Sequence, residues 1–124
     1  VMMDIKHMDD AKHRELTGVS NRPILENARR VAEQKPLILR IPVIPGLNDT
    51  EENIKQTAEF AAGLGKNLCR MDLLPYHQLG TMTYRRLGID YPLEKENIEP
   101  PSGQQMKSLQ NIVSDCGIAV QIGG

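Results

Sequence analysis

An acid and a base two residues apart, Asp4 and Lys6, close the first apolar run of the chain, Val1-Met2-Met3-Asp4-Ile5-Lys6. Alternate residues of a strand share a face, so the two side chains stand together at a strand end. A charged pair in that place lines a ligand cavity, or, with Lys6 as nucleophile, forms a Schiff base with a carbonyl substrate. The plain structural reading is an ion pair of little energetic weight. His77 follows a later apolar run directly. By position alone it is equally an exposed loop histidine, because no nucleophile or metal ligand stands at a recognisable spacing from it.

The elements that must bring these residues together are legible as an alternation. Short apolar runs are separated by longer segments of helical period, which predicts an α/β arrangement with parallel strands in the order β, α, β, α, β, α, β. Residues 1–6 form the first strand. Asp9 or Asp10 caps a short helix ending at Gly18. Ser20 or Asn21 caps a second helix with Pro23 in its first turn and Ile24, Leu25, Ala28, Val31 and Ala32 on one face. The run 37–44 is the clearest strand; Pro45-Gly46 stops it, and Asn48 or Asp49 caps a helix to about residue 64. A third strand spans 68–74, and residues 77–101 read as a long loop. Ser102 and Gln105 make a capping box for a helix with Met106, Leu109, Ile112 and Val113 on one face, ended by Gly117; residues 118–122 form the last strand.

Three strands split alike into a greasy and a charged face. Val1, Met3 and Ile5 oppose Met2, Asp4 and Lys6; Leu37, Leu39 and Ile41 oppose Ile38, Arg40 and Pro42; Cys69, Met71 and Leu73 oppose Leu68, Arg70 and Asp72. The greasy face must meet the helices, so the charged one points the other way. A closed eight-stranded barrel fills that side with branched apolar residues; charges there imply a wetter, ligand-filled interior. In β/α barrels the C-terminal strand ends build the active site, which puts Asp4, Lys6, the Ile44-Pro45-Gly46 turn, Tyr76 and His77 on one rim.

Composition bounds the rest. A chain of 124 residues, 40% hydrophobic, supports one domain or part of one. Its net charge of -1 and pI near 6.3 offer no basic surface for nucleic acid. No apolar run reaches the roughly 20 residues of a bilayer span, so no membrane partner and a soluble, cytoplasmic protein are expected. Cys69 and Cys116 lack metal-ligand or redox spacing and read as buried free thiols. The chain opens on a hydrophobic strand without a polar lead-in, which suggests a missing upstream segment.

Four blocks, Asp4-Ile5-Lys6, Leu16-Thr17-Gly18-Val19-Ser20-Asn21, the run from Arg40 to Asp49 and Leu73-Leu74-Pro75-Tyr76-His77-Gln78-Leu79-Gly80, followed by Tyr84, Pro100 and Pro101, resemble in that order the C-terminal half of the glycyl-radical-enzyme activating enzymes. This is the pyruvate formate-lyase activating enzyme-like family of the radical S-adenosylmethionine superfamily. The resemblance implies that residues 1–124 are a half TIM-type barrel, the C-terminal part of a radical S-adenosylmethionine (β/α)6 barrel without its cluster-binding part. S-adenosylmethionine would lie across the strand ends on a 4Fe-4S cluster. Asp4 would contact the ribose hydroxyls, Lys6 the methionyl carboxylate and His77 the adenine, with Arg40 facing the cavity; Met2 and Asp4 match positions around a monovalent cation. Each role suits its side chain.

The sequence departs from the family at one place. The family's CxxxCxxC motif is absent, and thiolates are what anchor such a cluster. The chain alone is therefore expected to be inactive and to hold neither cofactor. For an intact parent, the resemblance implies reductive cleavage of S-adenosylmethionine and hydrogen abstraction from a glycine of a glycyl-radical enzyme, with flavodoxin or ferredoxin as electron donor. The residues leave open a non-enzymatic binding module, and an open half-barrel has unpaired edges that favour self-association.

Overall fold

The computed structural model describes residues 1–75 and 100–123. Strands β1 (Met2–Asp4), β2 (Leu37–Val43), β3 (Leu68–Pro75) and β4 (Val120–Ile122) form one sheet in sequence order, every neighbouring pair parallel. Parallel neighbours need crossovers. Helices α1 (Asp10–Thr17) and α2 (Arg22–Gln34) join β1 to β2, α3 (Glu51–Ala62) joins β2 to β3, and α4 (Gly103–Asp115) precedes β4.

The helices begin and end for local reasons. The Asp9 carboxylate accepts from Lys12 N at the start of α1, and Gly18 takes φ 82° to close it, with its N–H donating to Arg14 O. Thr50, not Asn48 or Asp49, caps α3 by accepting from Asn53 N; both expected residues are engaged elsewhere. At α2, Asn21 holds the cap position but its side chain makes no capping bond, and Ser20 Oγ accepts from Arg22 N instead. Ser102 Oγ accepts from Gln105 N as a capping box requires, while the Gln105 amide turns away to donate to Asp49 Oδ2.

One face of the sheet packs on the helices. Leu39, Ile41, Met71 and Leu73 meet Ala28 and Ala32 of α2, Ile54, Ala58 and Ala61 of α3, and Met106, Leu109 and Val113 of α4 in one buried cluster. The expected two-faced alternation holds in β1 and β2. In β3 it slips: Leu37 pairs with Leu68 but Ile38 with Arg70, leaving Cys69 as an extra residue. The bulge turns Leu68 toward the core and Cys69 outward, reversing the expected sides of both. Cys69 is therefore exposed and Cys116 half-buried, not the buried thiols expected.

Candidate functional site

The charged face is an ordered row. Asp4, Arg40, Asp72 and Gln121 are register partners across β1, β2, β3 and β4, so strand pairing alone aligns a carboxylate, a guanidinium, a carboxylate and an amide. Asp72 is buried and accepts from Arg70 Nε at 2.7 Å; this bond, more than the charge itself, raises the Arg70 guanidinium above its ordinary value. A buried carboxylate without such a partner would be costly. Arg40 Nε is buried and, among the described residues, without a hydrogen-bond partner.

Two residues beyond Asp4, just past β1, Lys6 Nζ stands 3.8 Å from Asp4 Oδ2. The Lys6 side chain is 14% exposed and that of Asp4 31%, so the ion pair that position alone allowed is present and partly buried. Burial lowers the Lys6 pKa, and the nearby negative charge of Asp4 opposes that shift. Both residues line a cleft of about 330 Å³ with His13, Thr17, Ser20 and Asn27, near the lower limit of small-molecule sites. Two of those, Thr17 and Ser20, lie in the Leu16–Asn21 block, whose composition reads only as helix end and cap.

Two histidines that sequence reading passed over are buried near this rim. His13 Nδ1 lies 2.7 Å from Val19 O; a carbonyl can only accept, so Nδ1 carries the proton. His7 Nδ1 accepts from Asp9 N at 3.0 Å, which places the neutral ring's proton on Nε2. Burial first, and Lys12 second, lower the His7 pKa and keep the ring neutral. Neither histidine has a sequence signature beyond its type.

His77 and Tyr76 lie outside the described residues, as does most of the 77–101 segment. Met2 sits on the same face as Asp4 but is 61% exposed. The fit to the two implied cofactors is unequal. A carboxylate and an ammonium in a half-enclosed cleft, beside a buried guanidinium nitrogen with donor capacity to spare, suit the hydroxyls and carboxylate of S-adenosylmethionine. The cluster does not fit: the chain has two cysteines, and among the described residues no three His, Cys, Asp or Glu side chains gather as a metal site.

No family model matches the sequence. It is 43% identical over 117 residues to an indoleacetate decarboxylase activating enzyme of Tractidigestivibacter scatoligenes, covering 93% of this chain and 36% of that protein. It is 39% identical over 115 residues to a pyruvate formate-lyase-activating enzyme of Staphylococcus epidermidis, covering 92% and 45%. The crystal structure of a domain of pyruvate-formate lyase-activating enzyme from Bacteroides vulgatus superposes with TM-score 0.79 at 35% identity, over 99% of this chain and 66% of that one. The chain is homologous to the glycyl-radical-enzyme activating enzymes. It spans less than half the length of the curated relatives it matches. A radical SAM methyltransferase from Sphaerobacter thermophilus shares the fold at TM-score 0.69 and 18% identity, so the parallel sheet described here has the α/β arrangement of a partial barrel. Among the described residues, no helix is long and apolar enough to cross a membrane.

Proposed function

We propose that residues 1–124 form the C-terminal portion of a radical S-adenosylmethionine activating enzyme and that the Asp4–Lys6 cleft holds part of its cofactor. The observation that carries this reading is the half-buried carboxylate and ammonium 3.8 Å apart in a cleft beyond the end of β1. The Asp4 carboxylate accepts from the ribose hydroxyls. Lys6 binds the methionyl carboxylate, and its burial strengthens that contact because little water competes. Arg40, next to Asp4 in the sheet, offers its spare donor to the same end of the ligand. His77 covers the adenine, and Met2 with Asp4 forms a monovalent cation site. When bound, S-adenosylmethionine supplies the radical chemistry by one-electron reductive cleavage.

The thiolates for the 4Fe-4S cluster come, in this proposal, from a further part of a longer protein, and the 124 residues alone are inactive. The partner is a glycyl-radical enzyme and the electron donor a flavodoxin or ferredoxin. The open edges of the half-barrel are proposed to self-associate when the rest of the barrel is absent.

The test is S-adenosylmethionine binding and 5′-deoxyadenosine formation by the anaerobically reconstituted intact protein. Asp4→Asn and Lys6→Met are each expected to weaken binding by roughly 10- to 100-fold, the scale of one charge-assisted hydrogen bond. Unchanged affinity in both variants overturns the assignment.

A further inference from the structure

Past β1 the backbone of residues 6–8 leaves the sheet, and its polar groups pass to asparagine side chains. Asn48 Nδ2 donates to Lys6 O at 3.0 Å. Asn21 Nδ2 donates to His7 O at 3.2 Å and Met8 O at 2.8 Å, and Met8 N donates to Asn53 Oδ1 at 3.0 Å. The three asparagines come from the cap of α2, the turn after β2 and the first turn of α3, and all are buried. They also tie to one another and to β2. Asn48 Nδ2 donates to Pro42 O at 2.6 Å, its Oδ1 accepts from Ile44 N at 2.8 Å, and its own carbonyl accepts from Asn53 Nδ2 at 2.8 Å.

A fully buried asparagine could be explained by capping or by chance burial, but neither accounts for this pattern. Asn48 and Asn21 make no capping bond, and a buried amide is tolerated only when satisfied. Only an amide of this size donates and accepts at once; aspartate cannot donate, and leucine does neither. Fixing Lys6 O and the two residues after it fixes the Lys6 backbone, and with it the direction of its Cβ.

We propose that Asn21, Asn48 and Asn53 are positioning residues for Lys6: by clamping the backbone of residues 6–8 they hold its ammonium beside Asp4 in the cleft, and they tie that position to the Ile44-Pro45-Gly46 turn. The proposal rests on the cofactor-binding reading of Lys6 for its functional meaning, though not for its geometry. Without the clamp the Lys6 amine swings toward water. The charged and titratable groups facing it are Asp4 at 3.8 Å and His13 across the cleft, with Arg40 the register partner of Asp4 on β2.

The test follows the Lys6 amine by NMR in the 124-residue chain carrying 13C-labelled lysine, assigned with Lys6→Arg, in Asn48→Ala and Asn21→Ala. Thr57→Ala is the control: Thr57 is as buried as the clamp, lies on α3 and donates to Asn53 O at 2.7 Å, with no hydrogen bond to residues 6–8. Both asparagine variants are expected to move the Lys6 titration up toward the ordinary value, while Thr57→Ala leaves it in place. If Asn48→Ala fails to fold, Asn21→Ala carries the test, since it leaves the buried Asn48 intact. An unmoved Lys6 in the asparagine variants, or an equal movement in Thr57→Ala, overturns the clamp. In the cluster-loaded intact protein, Asn48→Ala should raise KM for S-adenosylmethionine roughly tenfold with a smaller change in kcat. The two readings fail separately. Unchanged cofactor affinity in Lys6→Met removes the role of Lys6 and leaves the clamp; an unmoved Lys6 titration removes the clamp and leaves the role.

Discussion

At the scale of single residues, environment decides what an acid or base can do. Lys6 is pulled below its ordinary pKa by burial and partly restored by Asp4. Asp4→Asn removes the restoring charge, so Lys6 should titrate lower still, as lysine 13C NMR will show. The sign for stability follows: between the folded Lys6 pKa and 10.5 the unfolded chain binds the extra proton, so stability rises with pH across that window, and the variant widens it. Asp10 shows the same sign from the opposite cause, because its surroundings favour the charged form where those of Lys6 disfavour it. Bonds from Ser20 Oγ first, then Asn21 N and Arg14, pull its pKa from 3.8 to about 2. Its stabilising effect is complete above pH 3.8 and disappears as pH falls through about 2. Asp10→Asn should therefore flatten the acid limb of a melting-temperature profile in that window while lowering the plateau above it. Asp4 and Lys6 were legible as a candidate pair because strand alternation places i and i+2 on one face. The burial of His7 and His13 was not, because it depends on chain segments distant in sequence.

Among secondary elements, the ends were less legible than the bodies. Helical period and strand alternation mark where each element lies, but a cap is chosen by which of several adjacent polar residues is left free. At the turn after β2, Asn48 is drawn inward to the segment after β1 and to β2, and Asp49 to Gly46 N and Gln105, so the capping role falls to Thr50. Gln105 likewise completes only half of its box. Ser102→Ala removes the acceptor for Gln105 N and should cost α4 about 1 kcal/mol, read by denaturant unfolding. The bulge at Cys69 is the clearest limit on pattern reading: one inserted residue exchanges the faces of Leu68 and Cys69, and nothing in the run of six residues from Leu68 to Leu73 announces it.

For the whole molecule, the sheet has one helix-covered face and one polar face. Leu39 sits in an interior strand between Met3 and Met71, with none of its surface exposed, and belongs to the cluster that joins three helices to the sheet. Leu39→Ala should cost about 2–5 kcal/mol by chemical denaturation, a large share of the roughly 5–15 kcal/mol that holds a domain of ordinary stability. A loss under about 1 kcal/mol would mean that the face packed on helices is not this one. On the other face, Arg40 stands between Asp4 and Asp72 only because three strands pair in one register.

The order of parallel strands and helices, the two-faced character of β1 and β2, and the placing of Asp4 with Lys6 at a strand end were set by local pattern: period, β-branching and turn residues act over a few positions and are written in the chain. The tertiary structure alone decided the Asp4–Arg40–Asp72–Gln121 row, the turning of α1 residues onto the Lys6 cleft and the gathering of Asn21, Asn48 and Asn53 on one backbone segment. Those facts depend on inter-strand register and on which amide reaches which carbonyl, and both are fixed by packing between segments as many as 49 residues apart, as Asp72 is from Gln121.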